Sequence, residues 1–192
     1  MSGRRCAWLA LAVLCAATSL RAQQPAVIDQ EYEIKAAYLR FFGLYTQWPG
    51  AMGKANEFVL GVLGKDPFGD VLDKLAKEKT IDGKKIVIQR FKSLNDYKPC
   101  HLLFLCREDG GSNPVKLDDR LVETLKKIQG SPVMLVADVE GLAGKGAVAG
   151  FYIDDNKVKI AINPETAKSA GLKISSDLLR VAKIVGKGKD PG

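Results

Sequence analysis

Downstream of residue 30 the chain alternates between short, nearly unbroken apolar runs and longer stretches whose apolar residues recur every three or four positions. Between Tyr32 and Pro49, Ile34, Ala37, Tyr38, Phe41, Tyr45 and Trp48 follow helical spacing. That pattern predicts a helix buried along this stripe and ended by Pro49. "EFVLGVLG" predicts a strand. In the following "KDPFGDVLDKL", Asp66 is read as a helix N-cap, Pro67 as the first helical residue, and Leu72 and Leu75 as the inward face. "KKIVIQRF" and "HLLFLC" are two further strands. "LDDRLVETLKKI" is an amphipathic helix closed by Gly130, and "PVMLVAD" is a fourth strand.

Runs such as "LLFL" and "VMLVA" suit strands covered on both faces, hence a largely parallel sheet between helices. The pattern then changes. "GAVAGFYI", the turn "DDNK" and "VKIAIN" predict an antiparallel hairpin at one end of the sheet. Asn163 is read as the cap of a short helix with Pro164 at its first position and Gly171 just past its end. Ser175 caps a last helix whose apolar face is Leu178, Leu179, Ala182 and Val185. The expected fold is a single-domain, three-layer α/β sandwich with a mixed, mostly parallel sheet and a C-terminal antiparallel hairpin.

The first 22 residues change the picture of where this domain works. Arg4 and Arg5 precede an uncharged run from Cys6 to Leu20, and Ala22 offers a small residue before Gln23. This is the layout of a cleaved secretory signal, and the apolar run is short for a membrane span. Residues 1–22 are therefore expected to be a signal peptide, 23–186 the α/β domain, and 187–192 a disordered Gly/Lys tail. Loss of Arg4, Arg5 and Arg21 would lower the formal net charge from +7 to +4. Export and the lack of a basic, aromatic-laced helix argue against nucleic acid as a partner. The positive balance reads as a solvated surface.

Two of the four cysteines, Cys6 and Cys15, lie in the signal segment. Cys100 and Cys106 flank "HLLFL". Six residues of strand span roughly 20 Å, beyond the reach of a disulfide, so these are read as buried thiols or as one thiol open to a partner. No His/Cys cluster or CxxC suggests a metal, and no cofactor motif is present. Asp138 and Glu140 should lie on the same sheet rim as Asp66, where an enzyme would place acid/base carboxylates, but a polar loop yields the same residues. The Gly64–Pro67 turn would suit an anion were Asp66 not there to repel it. His101, the only histidine, is read as a structural hydrogen-bonding residue. No catalytic residue is assigned.

The segments "IKAAYLRFFGLYTQWP", "FVLGVLGKDPFGDVLDKL", "YKPCHLLFL" and "VMLVADVEGLAGKGAVAGFYIDDNKVKIAINPETAKSAGLKISSDLLRVAKIV" occur in an order and spacing that resemble the YfiR-like family of periplasmic proteins. The resemblance implies a non-enzymatic, dimeric α/β regulator in the periplasm. It would bind the periplasmic domain of a membrane-anchored signalling protein, a diguanylate cyclase or a sensor kinase. Repression of a cyclase lowers cyclic-di-GMP, and release promotes biofilm growth. Trp48, within the shared Trp-Pro pair, is a candidate binding residue with the rim residues Asp66 and Asp138. The family's type member resembles a redox switch with paired cysteines. Here Cys100 matches but finds no counterpart other than the nearby Cys106, and the family's glycine pair reads Gly146-Ala147. The alternative is a small-ligand sensor. A deep pocket at the rim would favour it; a shallow rim beside an exposed apolar helical face would favour the contact regulator.

Overall fold

The computed structural model describes residues 25–107 and 114–186. Its elements run α1 (Pro25–Leu44), β1 (Thr46–Gln47), α2 (Gly50–Lys54), β2 (Glu57–Leu63), α3 (Val71–Glu78), β3 (Thr80–Ile81), β4 (Lys84–Phe91) and β5 (Leu102–Leu105). They continue α4 (Pro114–Ile128), β6 (Met134–Ala137), β7 (Ala149–Asp154), β8 (Lys157–Ile162), α5 (Pro164–Ser169), β9 (Lys173–Ile174), α6 (Ser176–Arg180) and β10 (Lys183–Ile184). Eight strands form one sheet in the order β10-β8-β7-β6-β5-β2-β4-β3. The five strands β4-β2-β5-β6-β7 are parallel. Their chain order reverses between β2 and β5, the doubly wound pattern in which a crevice opens at the carboxyl ends of the strands.

The alternation of side chains across each strand divides the core. Leu60, Val62, Leu102, Phe104, Met134 and Val136 face α1 and α3, whereas Leu103, Leu105 and Leu135 face α4 through Leu121 and Ile128. This is the expected three-layer sandwich. On the α4 side, a Cβ at Gly61 would lie 2.8 Å from the Phe91 ring and 3.1 Å from the Cys100 sulfur, so the layers close only around glycine.

The hairpin formed as predicted. Asp155 and Asn156 both adopt positive φ, the two-residue geometry that matches the twist of β7 and β8. Asn163 accepts from Thr166 N at 3.1 Å and Ser175 from Asp177 N at 3.2 Å, so both caps are real, and Gly171 (φ 73°) follows α5.

Four expectations fail for identifiable reasons. Asp66 does not cap a helix. It accepts from Phe68 N at 2.7 Å in a local turn, and α3 begins only at Val71. α1 ends at Leu44 rather than Pro49, because Thr46 and Gln47 leave the helix to pair with β9. The last helix stops at Arg180, and the chain returns as the edge strand β10 beside β8, placing Val185 beyond any helix. Finally, α1 is rotated about its axis from the expected orientation, with Tyr38 still packed against the core. Its buried face is Tyr32, Lys35, Ala36, Leu39 and Phe42, while Ile34, Phe41 and Tyr45 are 40–42% exposed. The expected signal segment (1–22) and tail (187–192) lie outside the described residues.

Candidate functional site

The inner face of α1 carries one charge, Lys35, which is neutralised in the interior. β6 ends at Ala137, and Asp138 N extends its ladder to Leu105 O at 3.1 Å. Asp138 therefore points to the same side as Val136, beneath α1. There Tyr32 Oη donates to Asp138 Oδ2 at 2.9 Å and Lys35 Nζ to Oδ1 at 2.5 Å. Lys35 also bonds Glu31 one turn back, and its ammonium sits 4.6 Å from the Tyr32 ring centroid. Arg107, just past β5, donates to Glu31 and to Tyr32 Oη, each at 3.3 Å. The Asp138 side chain is fully buried and that of Lys35 is 3% exposed.

Two acids, two cations and a phenol thus close on one another at the carboxyl rim of the sheet. Burial, and then the Asp138 charge, push the Tyr32 phenol above its ordinary range against the lowering effect of Arg107. A general acid or base must reach a proton on a substrate. The Asp138 side chain is fully buried and its oxygens are already engaged, so this arrangement fastens elements together rather than moving protons.

Asp66 stands on the same rim but in a separate cluster. Arg90 Nε donates to it at 2.6 Å and Arg90 also grips Asp73 at 2.7 Å, clamping the turn between β2 and α3. Cys106 lies within the influence of Asp138 and Asp66. Burial first, and their charges next, push its thiol up to about 12, which makes it a poor nucleophile. Cys100, at the other end of β5, is likewise pushed up to about 12 by burial, and both thiols are free. Among the described residues no group of three His, Cys, Asp or Glu side chains is placed to hold a metal.

Trp48 is not part of this rim. It lies at the opposite end of the strands, where its Nε1 donates to His101 O at 3.1 Å and its ring meets Phe58 edge-on at 5.2 Å. His101 accepts from Val59 N at 3.0 Å through Nδ1, and its Nε2 bonds Met52 O at 2.9 Å, tying α2 to the sheet. Burial depresses its pKa, with Lys84 adding to the effect and the Met52 bond opposing it. His101 has the structural role expected of it, and Trp48 packs over the same cluster.

Sequence reasoning missed Tyr32, Lys35 and Arg107. A signal existed: Tyr32, Lys35, Ala36, Leu39 and Phe42 also follow helical spacing, with one charge among them. Of the stripe expected to be buried, Ile34, Ala37, Phe41 and Tyr45 are exposed, whereas Tyr38 and Trp48 are half-buried against the core. Phe41 lies 6.4 Å from both Tyr38 and Tyr45, ring centroid to ring centroid, forming an aromatic ladder along the helix.

The fold and rim define an α/β sandwich with a doubly wound parallel core. Among solved structures it is similar to the ABC domain in complex with L-Trp from Streptococcus pneumonia. That match has a TM-score of 0.52 and 12% identity, and it covers 81% of this chain and 60% of that one, a likeness of fold. A search of curated proteins gave no match. The YfiR/HmsC-like family model matches residues 32–183, and the chain belongs to that family.

Proposed function

We propose that this protein is a periplasmic, non-enzymatic regulator. It binds the extracytoplasmic sensor domain of a membrane signalling protein and represses a diguanylate cyclase, so lowering cyclic-di-GMP. Family membership supports the regulatory theme. The structural observation that carries the contact mechanism is the outer face of α1, where Ile34 and Phe41 stand exposed in line with Tyr45 just past the helix end. A rigid helix bearing aromatic side chains can bury them in a partner's groove. The buried Lys35–Asp138 pair fixes that helix on the sheet, so the ladder is presented in one orientation. No helix of the described residues is long and apolar enough to cross a membrane.

Repression follows if the face binds the partner's inactive conformation more tightly than its active one. Deleting the gene should raise cyclic-di-GMP, and restoring it should lower the level. Unchanged cyclic-di-GMP, together with no membrane protein crosslinked through α1, would refute the proposal. The second reading, a small-ligand sensor, loses its expected site because Asp66 and Asp138 are paired off at the rim. A different cavity offers that reading other ground.

A further inference from the structure

The connection from β6 to β7 contains no helix. A turn-rich loop takes its place, and Leu142 and Ala147 fold back onto the core. The antiparallel end of the sheet therefore has α1 on one face and only this loop beside the other. Register sets Gly150, Ala161 and Lys183 in one row across β7, β8 and β10. Two of these residues carry at most a methyl group, so the row forms a flat floor. Tyr152 flanks it, the loop around Gly141 and Ala143 forms the wall, and a cavity of about 140 Å³ lies between them.

The wall is held from behind. Asn163 is buried, and while its Oδ1 caps α5, its Nδ2 donates to Ala143 O at 3.0 Å. The chemistry of the lining is specific. Lys183 Nζ lies 5.5 Å from the Tyr152 ring centroid. Among the described residues it has no ion-pair partner within 4 Å, although Asp154 acts on it from farther away. Lys159, across from Tyr152, is already paired with Asp154. Glu140 lines the same cavity and stands exposed.

We propose that this trough is a binding site for a small aromatic monocarboxylate. The carboxylate would pair with Lys183, and the ring would lie on the Gly150–Ala161 floor against Tyr152. Cavities of roughly this volume accommodate a single benzene-sized ring. One uncommitted cation suits one negative charge, and Glu140 on the wall disfavours a dianion. The site lies on the sheet face opposite α1. It goes beyond the contact reading, and its test needs no partner protein.

The test is titration of the purified secreted protein with benzoate, followed by calorimetry and by the Tyr152 resonances. Saturable binding in the low-millimolar range or tighter is expected, weakened at least tenfold by Lys183→Met and abolished by Ala161→Leu, which fills the floor. Benzylamine, of the same shape and opposite charge, should not bind. Gly150→Ala gives a milder second variant, because its Cβ would meet nothing closer than Val139 O at 3.5 Å, and it should weaken binding with folding intact. Absence of saturable benzoate binding, binding unaffected by folded Ala161→Leu or Gly150→Ala, or equal binding of benzylamine would overturn the proposal.

Discussion

Lys35 Nζ lies 2.5 Å from Asp138 Oδ1, with both side chains all but excluded from solvent, so a buried ion pair fastens the first helix to the carboxyl end of β6. Removing one partner of such a pair leaves the other buried charge with only its remaining partners, Glu31 for Lys35 or Tyr32 and Arg107 for Asp138, at a cost of up to about 3–5 kcal/mol. Lys35→Met and Asp138→Leu alone should each lower the urea midpoint sharply, and the double variant should recover most of the loss. A single variant as stable as the wild type would show that the pair does not hold α1 in place.

His101 sets a pH dependence. Its folded pKa lies below the unfolded value of about 6.5, because burial disfavours the charged ring and Nδ1 must accept from Val59 N. The neutral form therefore contributes stability in full above pH 6.5, and that contribution is lost as pH falls from there through the depressed folded value. Thermal melts from pH 7.5 to 4.5 should decline more steeply for the wild type than for His101→Gln over that window. Parallel curves would contradict this assignment.

Asn163 and Ser175 both cap helices, but only Asn163 is buried and doubly used. Ser175→Ala should cost about 0.5–1 kcal/mol, and Asn163→Ala about 2–3 kcal/mol, because it also strands the buried Ala143 carbonyl. Denaturant titration of the two variants checks the ordering. Equal costs would mean that the loop contact contributes nothing.

Cys100 and Cys106 are buried at opposite ends of β5, and burial keeps both thiols protonated at neutral pH. Alkylation of the native protein by iodoacetamide should be slow and should accelerate on unfolding in urea. Rapid labelling of either thiol in the folded state would instead mark it as open to redox chemistry.

The legible parts of the fold were those where local chemistry and tertiary packing agree. Continuous runs such as "LLFL" gave parallel strands, the Asp155-Asn156 pair gave the hairpin turn, and Asn163 and Ser175 gave their caps. The errors arose where tertiary contacts decide. Nothing near Lys35 in the sequence announces Asp138 more than a hundred residues away, so the partner that lets a lysine sit on the inner row was not readable. The two-residue strands β1, β9 and β10 are likewise defined by their partners, and "LLRVAKIV" looks helical until β8 is beside it. For the site, position on the rim was readable for Asp66 and Asp138. Their engagement by Arg90, Lys35 and Tyr32 was not.

The central claim is that the outer face of α1 transmits the signal by contact. Phe41→Asp combined with Tyr45→Asp alters two exposed side chains and should leave the fold near wild-type stability. The decisive measurement is cyclic-di-GMP in cells lacking the gene and complemented with either wild type or this double variant at matched abundance. The account predicts that the wild type lowers cyclic-di-GMP and the variant leaves it at the level of the deletion strain. Full repression by the variant would contradict it.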